Sequence, residues 1–329
     1  YFAGKLDTAL TFLANLVLTD EVVLPERDVV IEERVQRVDN VPGSMLGEAI
    51  NATLYMNHPY GRPIIGWMDE IEQMDLEGSM EFYRRHYGPN NAVLIVAGDV
   101  DPDEVRIMAE EAYGPLPRNE DIAERVRPAE PPHRATRSVT LRDERVGTPS
   151  VSMYWLVPSY SMSEPGEAEA LDLLAAVLGD GVRSRMHQSL IVEQGIAASA
   201  GAYYRGSSLD DTPFVVYGTP RGEATIEDME AALLAEIERI VEDGITEAEL
   251  TAVKRRFVRQ AIFARDSQSG MARMFGVSLT TGSTVEDVLA WPERVYEVTP
   301  EQVREAAIRH LQGGPAVTGY LLPAEQDPS

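Results

Sequence analysis

Two carboxylates pose the first chemical question. In the run Pro25-Glu26-Arg27-Asp28-Val29-Val30-Ile31-Glu32-Glu33-Arg34, Glu26 and Glu33 stand seven residues apart. A helix advances about 100° per residue, so this interval leaves them about 20° out of line, two turns apart on one face. Both side chains can then point into one pocket. The same spacing also describes a solvated acidic face with i, i+4 partners, and spacing alone leaves both readings open.

Other residue types narrow the chemistry. The five histidines, His58, His86, His133, His187 and His310, are scattered, and none has another histidine three or four residues away. A catalytic zinc needs three protein ligands and an open position for water, and no local histidine pair starts such a set. The chain has no cysteine, which removes thiol nucleophiles, disulfides and thiolate metal sites together. The run Leu178-Gly179-Asp180-Gly181-Val182-Arg183-Ser184-Arg185-Met186 lacks the G-x-G-x-x-G spacing and a following lysine, so it reads as a turn before a helix rather than a phosphate cradle.

The elements that must position these residues follow from periodicity. Apolar residues Leu6, Leu10, Leu13 and Leu16 recur at helical spacing over 5–18, and Pro25 reads as the opening of a second helix, a position proline favours. Further helices are expected over 43–55, 76–87 and, capped by Asp101, to about Tyr113. The apolar run 91–97 reads as a buried strand ended by Gly98-Asp99, with Asn90 and Asn91 capping the turn before it. Beyond a proline-rich stretch, strands are expected over 138–141, 150–157, 197–204, 213–219 and 316–322. Helices are expected over 167–178, 226–242 and 247–264, with shorter ones reaching His310.

Both halves mix strands with helices, so the fold class is α+β. Five prolines between Gly114 and Arg137 (Pro115, Pro117, Pro128, Pro131 and Pro132) accompany many charges and set the boundary, giving domains over 1–118 and 137–329 joined by a linker over 119–136. Trp67, Trp155 and Trp291 read as packing anchors, Met153, Met162 and Met186 as core filling, and His58 as the donor or acceptor of a structural bond within its turn.

Composition excludes several classes. At 329 residues the chain exceeds one ordinary core. The formal net charge of −25 would repel a phosphate backbone, and no Lys/Arg cluster offers an exception, so nucleic acid is excluded as a partner. Apolar runs are too short to span a bilayer, so no membrane insertion is expected.

The glutamate helix resembles that of the M16 peptidase family, the pitrilysin and mitochondrial-processing-peptidase kind. In that family an E-R-x-x-V-x-x-E helix follows an upstream H-x-x-E-H helix. The resemblance continues in order through Asn40-Val41-Pro42-Gly43, His58-Pro59-Tyr60-Gly61, Ile65-Gly66, Phe82-Tyr83, Tyr87-Gly88-Pro89-Asn90-Asn91-Ala92 and Gly98-Asp99-Val100. Each alone is a turn or a helix stop, whereas the ordered series is specific. It implies a zinc-dependent metalloendopeptidase built as a half-clam of two related domains, each a mainly antiparallel sheet packed on helices. Glu33 is implied as the third zinc ligand and Glu26 as its support, while the two histidines and the general-base glutamate would precede Tyr1.

Two departures refine that expectation. No H-x-x-E-H occurs, and Tyr1-Phe2 matches a family strand that lies well after the metal helix, so the chain reads as N-terminally truncated and inactive by itself. Ile191 and Ala198 occupy positions where many members carry an arginine and a tyrosine that hold the peptide backbone. Two-subunit members divide these roles, so the resemblance implies a second M16-like subunit bearing the Arg/Tyr pair. Peptide substrate would lie as an added strand in an enclosed chamber. The alternative is a non-catalytic M16-like subunit that binds peptide or serves a structural role. The compartment stays open, a periplasmic location being the one the resemblance points to.

Overall fold

The computed structural model describes residues 18–324; most of the helix expected over 5–18, together with Tyr1-Phe2, lies outside them. The first described helix, α1 (Asp20–Arg34), runs into a π-helical turn at Val35–Asp39. Next come α2 (Pro42–Leu54), the short α3 (Met68–Glu72), α4 (Leu76–His86) and α5 (Pro102–Tyr113). Pro25 does not open α1 but sits inside it. Asp20 and Glu21 complement the exposed N–H groups of the first turn, which starts the helix five residues earlier than the proline rule places it.

The expected strand over 91–97 is absent. Residues 92–97 carry no regular structure, and Val93 and Leu94 are 51% and 46% exposed. A strand is completed by its neighbours' hydrogen bonds, and the sheet contains none of these residues. Asn91 instead turns back, its Nδ2 donating to the carbonyl of His86 at the end of α4.

From Arg137 onward the chain alternates strands and helices: β1 (Arg137–Asp143), β2 (Ser150–Val157), α6 (Glu167–Gly179), a π-helical turn at His187–Glu193, β3 (Ala197–Tyr204) and β4 (Thr212–Pro220). Then follow α7 (Ile226–Asp243), α8 (Glu247–Ala264), α9 (Gln268–Thr280), α10 (Val285–Glu297), α11 (Pro300–His310) and β5 (Val317–Pro323). The five strands lie in the order β1-β5-β2-β4-β3, with β1 and β5 parallel and every other pair antiparallel. This mixed helix-and-sheet architecture bears out the expected α+β class.

β2 shows how the sheet separates two apolar layers. Val151, Met153, Trp155 and Val157 alternate into the main core, which α6, α7 and α11 cover. Tyr154 and Leu156 point the other way, against Leu46, Ile50 and Leu54 of α2. Gly319 of β5 permits this second contact, since a Cβ there would stand 2.2 Å from Ile50 Cδ1. Gly179, in the glycine-containing run, is required for a different close approach: a Cβ would lie 1.9 Å from the Ala202 amide nitrogen of β3. Met153 and Met186 are core residues as expected, but Met162 is 52% exposed and is not.

Candidate functional site

The glutamate pair sits on a helix anchored by its last residue. Arg34 is 5% exposed, and its guanidinium donates to both Glu48 oxygens at 2.9 and 3.0 Å and to the Gly66 carbonyl at 2.7 Å. It also lies 5.9 Å from the Trp67 ring centroid, a cation–π contact. The hydrogen bonds to Glu48 hold the guanidinium pKa above its ordinary value. This network fixes the C-terminal end of α1 against α2 and the turn before α3.

Glu26 is exposed, and Glu33 is half-buried with its carboxylate 3.0 Å from Arg37 Nη1. Among the described residues, no group of three or more His, Cys, Asp or Glu is placed to hold a metal ion. Zinc does not fit these residues by themselves, because Glu33 supplies one donor where at least three are needed.

A second constellation gathers where the turn at His58–Gly61 meets the proline-rich stretch. The Glu130 carboxylate accepts from the backbone N–H groups of Met56, Asn57 and His58 at 2.8, 3.0 and 2.9 Å. Burial acts to raise its pKa, yet the three donors outweigh that and leave it below its ordinary value. His58 Nδ1 accepts from the Tyr60 amide at 3.2 Å, bearing out a structural role in the turn. Its Nε2 lies 3.1 Å from Asp210, which Arg127 also reaches at 3.1 Å. These groups line a cavity of about 290 Å³. Residues 114–136 are irregular as their composition predicted, but Glu130 and Arg127 pin them to both neighbours. Sequence reasoning missed these two and Asp210, because charges among prolines read as solvated.

The remaining expected positions lie on the sheet side. Ile191 is half-buried against the main core within the π-helical turn, and Ala198 is exposed on β3, where the pairing register slips between Ala197 and Ser199. β3 is an edge of the sheet. Neither side chain offers a hydrogen-bond donor to a peptide.

A family model described as "Peptidase M16 inactive domain" matches residues 74–257. The chain is 27% identical to the zinc protease PqqE of Helicobacter pylori, over 97% of this chain and 72% of that protein. It is 32% identical to an uncharacterized zinc protease of Mycobacterium leprae, over 97% of this chain and 73% of the relative. Among solved structures, the crystal structure of a protease from Helicobacter pylori superposes with a TM-score of 0.88 at 26% identity, covering 97% of this chain and 78% of that one. Among the described residues, no helix is long and apolar enough to cross a membrane.

Proposed function

The chain belongs to the M16 peptidase family, and we propose that it is part of a zinc-dependent metalloendopeptidase subunit in which Glu33 is one metal ligand and Glu26 supports it. The observation that carries this reading is similarity along 97% of the chain to relatives named zinc proteases. The anchoring of α1 adds support, since Arg34 ties the end of the helix to Glu48 and Gly66 without engaging Glu26 or Glu33. The other ligands and the general base would come from residues outside those described. A division into domains over 1–118 and 137–329 with a linker over 119–136 belongs to the same proposal, as does a second M16-like subunit that supplies the Arg/Tyr pair missing at Ile191 and Ala198 and completes a chamber for peptide.

A non-catalytic subunit is the second reading, favoured by the pairing of Glu33 with Arg37 and by the lack of a metal cluster among the described residues. Zinc analysis separates the two. The protein would be prepared with whatever natural residues precede Tyr1, alone and mixed with an M16-like partner, beside Glu33→Gln. About one zinc per chain, lost in the variant, with peptide cleavage only in the mixture, is the expected result. Absence of zinc from the complete protein would sink the catalytic reading and leave the peptide-binding or structural one.

A further inference from the structure

A cavity of about 450 Å³ opens among α8, α9 and α10, lined by no residue of the glutamate helix and by neither Ile191 nor Ala198. That volume falls within the range of small-molecule sites. Phe257 and Ala261 of α8, Met271 and Met274 of α9, and Leu289 and Trp291 of α10 make its walls apolar. The rings of Phe257 and Trp291 stack with centroids 6.1 Å apart and planes 20° from parallel. No residue of α9 is fully buried, so this helix closes the cavity without filling it.

Two carboxyls border this apolar space, Asp172 and Asp287, and Asp287 has Arg294 3.8 Å away. Tyr160 donates its O–H to Oδ2 of Asp172 on α6, and Trp291 Nε1 donates to the Tyr160 oxygen at 2.7 Å, which holds the chain of groups in one arrangement. The bond from Tyr160 is the only hydrogen bond the Asp172 carboxyl makes among the described residues. Burial, with a smaller contribution from nearby Glu169, pushes the Asp172 carboxyl up to about 7.

The other charges around the cavity do not serve Asp172. Arg294 Nε is engaged by Glu169 at 2.6 Å, Asp287 adds a second carboxylate 3.8 Å from Arg294, and Arg265 lies at the end of α8. Asp172 therefore has an oxygen open to a donor and no cation paired with it, in surroundings where an unpaired carboxylate is costly.

We propose that this cavity binds a small primary amine with an aromatic or branched aliphatic body, its ammonium donating to Asp172 and its body lying against Trp291, Phe257, Met271 and Met274. The ammonium supplies the cation the carboxylate lacks, and the thioethers and stacked rings suit an aromatic body. The amide-free N-terminus of a peptide presents the same ammonium, so a free amine and a short peptide beginning with phenylalanine form two arms of the test.

The experiment is titration of phenethylamine into the chain above neutral pH, followed by calorimetry and by the fluorescence of Trp291, with Trp291→Phe identifying the optical signal. Saturable binding at one site per chain is expected, weakened about tenfold or more in Asp172→Asn and when 2-phenylethanol replaces the amine. Ala261→Phe, which fills the wall and leaves Asp172 intact, should abolish binding while its melting transition persists. Tighter binding of the peptide would assign the site to a peptide N-terminus. Equal binding of amine and alcohol, unchanged binding by Asp172→Asn in a folded variant, or no saturable heat from either arm would overturn the proposal.

Discussion

Residues 18–113 and residues 137–323 both carry apolar patterning and meet different fates. In the second region α6 is buried along nearly its whole length, and β4 is covered on both faces. Four of its helices, α7, α8, α10 and α11, begin with reciprocal capping boxes at Thr225, Thr246, Thr284 and Thr299. In the first region α4 and α5 contain no buried residue, and among the described residues the apolar run 92–97 has no strand partner. Pattern decides which side chains gain by leaving water, but burial is realised only where a partner surface exists.

The most forceful way to break this contrast is a pair of truncations. Phe214→Ala in β4, where the ring is fully buried, should cost about 3–5 kcal/mol. Leu94→Ala, in the unpaired run, should fall within about 0.5 kcal/mol. Urea midpoints of the two variants decide the matter, and a Leu94→Ala cost approaching that of Phe214→Ala would mean the run is covered in solution.

Glu130 tests the junction between the two regions, at a smaller scale. Glu130→Ala leaves three backbone donors without their acceptor and should cost about 1–3 kcal/mol. The pH dependence has a definite sign. The folded carboxyl titrates below its ordinary value, so its contribution is complete above that ordinary value and fades as pH falls through the lowered one. Denaturation followed from neutral to acidic pH should show wild type and Glu130→Ala converging at the acid end. A gap that stays constant would mean that the carboxylate charge plays no part.

How much of this was legible in the sequence depends on how local each feature is. The alternation of β2, the helix beginning at Glu167 and the cap at Asp101 follow from neighbouring residues and could be read directly. The parallel pairing of Arg137 with Val317 joins segments far apart in sequence, and no local pattern encodes it. Pro25 obeyed the tertiary and electrostatic setting of α1 rather than its own positional preference. Met162 shares its residue type with Met153 but not its burial. In the candidate site, the type and spacing of Glu26 and Glu33 were readable, whereas the pairing with Arg37 and the anchoring through Arg34 and Gly66 required coordinates. Asp172 stood within an apolar helix pattern, and its cavity is assembled from helices that close over it much later in the chain.

The smallest expected effect concerns the residue on which the functional reading turns. The Arg37–Glu33 pair joins adjacent turns of one helix, and the two side chains are 75% and 39% exposed. Solvent and salt weaken such pairs, so Arg37→Ala should change stability by about 0.5 kcal/mol or less. In the complete protein the same substitution removes a cation that competes for Glu33, so zinc occupancy should stay the same or rise if Glu33 is a ligand. Measuring the urea midpoint on the chain and zinc retention against a chelator on the complete protein separates the two roles. Weaker zinc retention without Arg37 would show that the ion pair positions Glu33 for the metal, whereas a stability loss well above 0.5 kcal/mol would show that the glutamate face of α1 is less open than its exposure indicates.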